Sequence, residues 1–422
     1  MTKMCLQVKR RLSGKAMPRL LIFYHYFHPD DVVSAHHYSQ LAGELQARGW
    51  YVMAMPANRG RHNESQVFEP YEYWGGVEIR RIGRPRFSQT STLGRGLNAL
   101  WMIFAWSLVA FRKKSVSDID VVLVGTDPIL SVLVSIVWKL VRPRTKVAHW
   151  CFDLFPETAI AAGIFRPNVF WVRIFKIFSK RAYKACNLIV DTGGCQRARL
   201  QAYDKSIGQA TCTPWALFEP PQPVPIDIHE REELFGNAKL ALFYSGNIGV
   251  AYSYERFLKL ARRLRGEDIK FVFSVRGKRV EELKKDVSAE DTNISFASFA
   301  PIDRLQARLS APDIHLASLR EEFTGTLVPS KFFGSLAVGR PVIFDGSMDS
   351  AVSDWIKTYQ LGWVLTPKTL DSVADDLVRL SNSPQDLEEL RQRCHRVYQE
   401  VFSKKQVMDT WDEELRKLLC SI

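Results

Sequence analysis

The strongest constraint on this chain is one order of elements, repeated on both sides of a proline cluster. From Arg19 the sequence passes through an apolar run, "RLLIFYHYF", a polar loop, an amphipathic stretch, "SAHHYSQLAGELQARGW", that ends near Gly49, and a second apolar run, "YVMAMPA". Strand, loop, helix and strand in that order imply parallel strands joined by a crossover. "DIDVVLVGTDP" with "ILSVLVSIVWKL" repeats the order, as do "KVAHWCF" and "NLIVDTGG", each with its next segment of chain. The first half therefore reads as a doubly wound α/β domain. Four prolines between Pro220 and Pro225, separated only by Gln222 and Val224, then rule out both helix and central strand, since proline lacks an N–H and fixes φ. Beyond them the grammar restarts in "LALFYSGNIG", "YERFLKLARRL", "IKFVFSVRG", "ISFASF", "IHLASL" and "GWVLT".

The expected division is a basic tail over 1–17, a Rossmann-like domain over 18–215, a linker over 216–228, a second Rossmann-like domain over 229–399, and a C-terminal helix over 400–422 free to pack back across both. Two doubly wound domains in tandem face each other across a cleft at the C-terminal ends of their strands, where open α/β sheets bind ligands.

Lys and Arg outnumber Asp and Glu by 58 to 45, which favours anionic partners: nucleic acid, phosphorylated metabolites or an acidic membrane face. The seven cysteines are scattered, without metal-ligand spacing, so a reducing cytoplasm and no structural zinc are expected. The N-terminal "MTKMCLQVKRRLSGKAMPRL" is basic but has no apolar core, so it does not read as a signal peptide; a tail, or translation starting at Met17, are the two readings.

Five segments carry a resemblance: "YFHPDDVVSAHHYSQLAGELQARG", "WGGVEIRRIGRP", "CFDLFPETAIAAG", "YSGNIG" and "VPSKFFGSLAVGRPV". In this order and spacing they resemble the GT-B glycosyltransferases, within them glycosyltransferase family four, and there the bacterial branch similar to the fucosamine and fucose transferases of O-antigen and colanic acid assembly. The resemblance runs from Pro18 to about Gln399. It implies a retaining, metal-independent hexosyltransferase that takes a sugar from a UDP- or GDP-linked donor, with no other cofactor. The first domain would bind the acceptor, a polyprenyl-diphosphate-linked glycan, and the second the nucleotide sugar. The protein would be cytoplasmic and peripheral on the inner face of the cell membrane, with no nucleic acid bound.

A nucleotide sugar carries a diphosphate, so convergent N–H donors and cations are needed. In "PSKFFGSLAVG", Ser330 as N-cap and Gly339 as C-terminal cap bracket a helix of about two turns. A lysine at its positive end is unfavourable until a dianion lies between the two, so Lys331 reads as a diphosphate contact, or else as an exposed helix residue. Gly246 and Asn247 in "YSGNIG" follow a strand where backbone can approach phosphate; a plain tight turn is the other reading. Arg276 and Lys278 supply positive charge after the next strand or are solvated loop cations. By resemblance the amides of Thr324, Gly325 and Thr326 hold the donor sugar; an ordinary strand-to-helix connection is the other reading, for Thr324 above all. The two glutamates usual in the family fall at Thr326 and Gly334, so ribose contacts come from elsewhere, and Glu321 or Glu322 are candidates for the first.

Asp153, just past a strand, is the first choice to orient the acceptor and Glu157 the second; Asp153 as cap of the following helix is the alternative. By resemblance Pro29, Asp30, Asp31 and the pair His36 and His37 sit in or beside the acceptor loop, with Asp31 and His36 as the candidates and one of the two histidines a plain helix residue. "DID" at Asp118 to Asp120 imitates a metal motif but precedes its strand, at the wrong end of the sheet.

"LNALWMIFAWSLVAF", residues 97–111, would reach about 22 Å as a helix and does not span a bilayer by itself. In "FWVRIFKIFSKRAYKAC", at about 100° per residue, Phe170, Trp171, Ile174, Phe175 and Phe178 share one arc while Arg173, Lys176, Lys180 and Lys184 share the opposite one. That is the profile of a helix lying on an anionic membrane surface; a core-facing helix with a solvated basic face is the competing reading. Two other functions remain: a nucleotide-sugar 2-epimerase of the same fold, and a basic nucleic-acid-binding or scaffold protein, which lacks any recognisable recognition element.

Overall fold

The computed structural model describes residues 17–61, 65–89, 91–112, 116, 118–205, 208–299 and 304–420. Of the basic tail, residues 1–16 lie outside the described residues, as do the two lysines after Arg112.

The first sheet contains β1 (Arg19–Phe23), β2 (Tyr51–Ala54), β3 (Tyr71–Trp74), β4 (Val77–Arg80), β5 (Val121–Val124), β6 (Lys146–Trp150), β7 (Leu188–Asp191) and β8 (Gly208–Thr211). Their order is β3-β4-β2-β1-β5-β6-β7-β8, parallel throughout except for the β3–β4 pair, which Gly75 and Gly76 turn at positive φ. β1, β5 and β7 are almost wholly apolar because both faces are covered. One face packs on helices Val33–Ala47 and Lys404–Cys420, the other on helices Thr92–Val109, Val134–Val141 and Phe170–Ala185.

The second sheet contains β9 (Leu240–Asn247), β10 (Ile269–Arg276), β11 (Ile294–Ala297), β12 (Ile314–Ser318), β13 (Val342–Asp345) and β14 (Gly362–Leu365), ordered β11-β10-β9-β12-β13-β14 and all parallel. In both sheets the order reverses beside the first strand, β1 or β9, so the switch points lie at the ends of these strands.

Helix Val33–Ala47 stops where Gly49 takes φ 87°, with the Gly49 amide bonded to the Gln46 carbonyl and the Trp50 amide to that of Leu45. Gly339 ends helix Lys331–Ala337 in the same way at φ 76°, its amide on Leu336 and that of Arg340 on Ser335. Arg340 is buried and donates to the carbonyls of Pro312, Val338, Val224 and Ser310, so it pins the proline segment to the second sheet's domain.

The chain returns to the first sheet through a π-helical stretch at Tyr398–Phe402. There the Tyr398 hydroxyl donates to Glu219, whose Oε1 also accepts the Lys404 amide at 2.6 Å. Val407, Met408, Trp411 and Leu415 of the last helix then join the core under β1, and Asp409 and Asp412 accept from Arg48 and the Trp50 indole at 2.7 Å each.

Candidate functional site

On the second sheet, β9 leads into Gly246 at φ 128°, and a Cβ there would sit 3.5 Å from the Lys331 Nζ. Lys331 opens helix Lys331–Ala337, but its side chain turns under the end of β9 instead of into solvent. The Nζ lies 3.7 Å from the centroid of the buried Tyr244 ring and 4.9 Å from that of Tyr252. It is buried and has no hydrogen-bond partner. Burial without a counter-ion pushes its pKa down to about 7. Two aromatic faces offer the ammonium some compensation, but no charge neutralises it.

The rest of the expected donor set is only partly assembled here. Ser330 holds the N-cap position with helical dihedrals and makes no side-chain cap; it is exposed, so the expected capping bond is corrected. The helix has seven residues, too short for a strong dipole, so the positive charge at this end of it is that of the lysine itself. Asn247 is exposed and in register with Arg276 on β10, whose guanidinium stacks 4.5 Å over Phe299. Lys278 is exposed in the loop after β10.

"FTGT" departs most from expectation. The amides of Thr324 and Thr326 are already used inside the turn, on the carbonyls of Glu321 and Phe323. Thr326 is fully buried, and its carbonyl accepts the Leu154 amide at 2.8 Å and the Gln196 side chain at 3.3 Å, both from the first domain. Gly325, at φ 74°, has the Cys195 carbonyl 2.6 Å from where a Cβ would be. Gly325 and Thr326 therefore serve contact between the domains, and the Thr324 and Thr326 amides are not free for a sugar; the Thr324 hydroxyl is buried without a partner.

Glu321, exposed, pairs with Arg256, which also binds Asp345 at the end of β13 at 2.6 Å. Burial pushes Asp345 up to about 6, against the pull of Ser253 and Arg256. Glu322 pairs with Arg320.

Across the cleft, Asp153 follows β6. The helix after it, Glu157–Ala161, is capped at Pro156 without a side chain, and the Thr158 amide goes to the Leu154 carbonyl, so Asp153 is not a helix cap. Burial and then the charge of Asp127 raise Asp153 to about 6. Asp153 in turn raises the Tyr252 phenol, already lifted by burial, to about 12. The carboxylate of one domain thus acts electrostatically on the tyrosine that covers Lys331 in the other. Behind Asp153 a cavity of about 10 Å³, enough for one water, is shared with His149, Ser131 and Thr126.

Glu157 is not part of this group: it accepts from Tyr203 at 2.6 Å and faces Lys176 at 3.8 Å, both within the first domain. Asp31 and His36 meet each other at 3.3 Å on the outside of the first loop. His37 is buried between the carbonyls of Val33 and Trp215. Asp118 and Asp120 bind Arg19 at the opposite end of the sheet. Among the described residues no three His, Cys, Asp or Glu side chains converge as metal ligands would.

No family model matches the chain. It is 23% identical over 381 residues, covering 87% of its own length and 91% of the relative's, to the probable glycosyltransferase WbjE of Pseudomonas aeruginosa. It is 28% identical over 130 residues, 30% of this chain and 31% of the relative, to the putative colanic acid biosynthesis glycosyl transferase WcaI of Escherichia coli K12. The structure superposes on sucrose-phosphate synthase from Thermosynechococcus elongatus with a TM-score of 0.69 at 12% identity, over 96% of this chain and 100% of that one. HepE of Anabaena, solved with UDP and glucose, gives 0.63 at 11%, over 95% and 100%.

The fold is GT-B. Relatives and fold together support a GT-B glycosyltransferase of polysaccharide assembly.

Within the GT-B cleft, sequence reasoning missed Tyr244 and Tyr252, which cover Lys331, and Asp127, whose charge adds to burial in raising the Asp153 pKa. It also missed His25, whose Nδ1 lies 3.0 Å from the Asp127 carboxylate. The signal was present: "HYF" and "GTDP" both sit at strand ends beside the switch point.

Proposed function

We propose that this chain is a retaining, metal-independent glycosyltransferase that moves a hexosyl unit from a UDP- or GDP-linked sugar to a polyprenyl-diphosphate-linked glycan. The setting is O-antigen or related surface polysaccharide assembly, in the fucosamine and fucose branch, at the inner face of the cell membrane. The observation that carries the reading is the buried, unpartnered Nζ of Lys331 at the mouth of the second sheet. A buried cation with no counter-ion is costly, and a diphosphate in the cleft supplies the missing charge.

In this reading the bond from the anomeric carbon to the leaving phosphate breaks and a bond to the acceptor oxygen forms on the same face. The acceptor hydroxyl's proton passes to the departing phosphate oxygen, now held by Lys331⁺. Asp153, largely ionised at neutral pH, accepts a hydrogen bond from the acceptor and orients it. The relatives lend no support to the epimerase or scaffold alternatives.

The test is a thermal-shift panel of nucleotide sugars. A donor at a hundred times its Kd stabilises by about 2.7 kcal/mol. A panel of UDP- and GDP-sugars that shifts nothing contradicts the proposal.

A further inference from the structure

Helices Thr92–Val109, Val134–Val141 and Phe170–Ala185 pack side by side on one face of the first sheet. Each buries a narrow stripe: Met102 and Trp106 on the first, Trp138 on the second, Val172, Ser179, Ala182 and Tyr183 on the third. What they leave outside is unusual for a water-facing layer. Leu97, Leu100, Trp101, Phe104 and Leu108 of the first helix are exposed, as are Phe170, Trp171, Ile177 and Phe178 of the third, and Leu140 of the second is 77% exposed. The aromatic arc of Phe170–Ala185 is therefore not a core face.

The layer's charge is one-sided. The three helices contain seven lysines and arginines and no aspartate or glutamate. Arg173, Lys180 and Arg181 have no ion-pair partner among the described residues. The opposite face differs: helix Lys404–Cys420 carries Asp409, Asp412, Glu413 and Glu414, each in an ion pair.

The apolar surface extends in two directions. Tyr71 and Tyr73 on edge strand β3 pair with Arg80 and Glu78, and Glu78 pairs with Met53, which lies in the core under these helices, so both exposed tyrosines project on the same side. Toward the cleft, exposed Ile164 and Phe165 continue it, with Phe165 5.9 Å from Phe175 by ring centroids. A groove of about 470 Å³ opens between helix Thr92–Val109 and the end of β4, lined by Trp101, Phe104 and Leu108 against Arg80, Ile82 and Arg112.

We propose that this three-helix layer, with the β3 tyrosines at its rim, is the docking face for an anionic lipid bilayer. Leu, Phe and Trp side chains enter the headgroup boundary, unpaired cations meet lipid phosphates, and Tyr71 and Tyr73 sit at the interface. Among the described residues no helix is long and apolar enough to cross a bilayer, so the contact is peripheral. The choice of a bilayer rests on the reading of a lipid-linked acceptor, which would reach Asp153 along the Ile164–Phe165 edge.

The test is co-sedimentation of the full-length protein with phosphatidylcholine vesicles, with and without phosphatidylglycerol. Binding is expected to require the anionic lipid and to fall with added salt. Arg173→Glu with Lys180→Glu lowers the partition coefficient roughly tenfold or more. Leu100→Ser with Phe104→Ser, at exposed positions, lowers it as well. Both double variants keep the wild-type thermal shift with nucleotide sugar, which shows that they fold. Equal partition of variants and wild type, equal binding to both vesicle types, or loss of a lipid-free dimer in the Leu100/Phe104 variant overturns the docking face. Donor binding without vesicle binding leaves the reaction standing and removes this inference; vesicle binding without any donor shift does the reverse.

Discussion

The Nζ of Lys331 rests 3.7 Å from the centre of the Tyr244 ring, and no acceptor or carboxylate reaches it. Cation–π attraction of about 1–2 kcal/mol falls short of the several kcal/mol that burying an ammonium costs. The strain shows in the lysine's lowered pKa of about 7.

Replacing Lys331 with methionine should separate stability from function. The folded pKa lies below the unfolded value of about 10.4, so wild-type folding carries its full penalty below about pH 7 and recovers it as pH rises through that window. Lys331→Met therefore raises the melting temperature of the ligand-free protein most at pH 6, by a few degrees at roughly 2–4 °C per kcal/mol, and least near pH 10. The same variant loses donor binding. Calorimetric scans across pH read both.

Donor binding should take up a proton. A diphosphate beside the ammonium raises its pKa, so above about pH 7 the Kd for a nucleotide sugar weakens by up to about tenfold per pH unit. Titration calorimetry in buffers of different ionisation enthalpy measures the uptake.

Asp153→Asn should lower kcat by roughly 10²-fold, the loss expected when an orienting contact goes, and remove an acid limb near pH 6 from kcat/KM. Asp127→Asn tests the origin of that limb. Because the Asp127 charge raises Asp153, its removal moves the limb to lower pH while transfer persists.

Gly325→Ala introduces a side chain at φ 74° with the Cys195 carbonyl 2.6 Å away. The left-handed conformation costs about 1–2 kcal/mol before the clash is counted, and the turn it disturbs joins the two domains. A lower melting temperature and a lower kcat are expected in differential scanning and steady-state assays.

The two sheets were legible because a buried parallel strand leaves a continuous apolar run, as in "VVLV" and "LALFY". β3 was not, because "YEYW" is a half-exposed edge strand whose alternation does not mark a core. Lys331 could be picked out from its motif, yet its burial could not, since that depends on Tyr244 and Tyr252 arriving from a strand and a loop about eighty residues earlier. Thr326 was misread because the backbone of "FTGT" resembles a ligand loop until its carbonyl is seen to bind Leu154 and Gln196.

The central claim is that Lys331 holds the leaving diphosphate during sugar transfer to a lipid. Its most direct measurement is transfer of radiolabelled sugar from a panel of UDP- and GDP-linked donors into membrane lipid extract, comparing wild type with Lys331→Met at pH 7. The account predicts label in the lipid phase from at least one donor with wild type and none above background with the variant; equal labelling by the folded variant would contradict it.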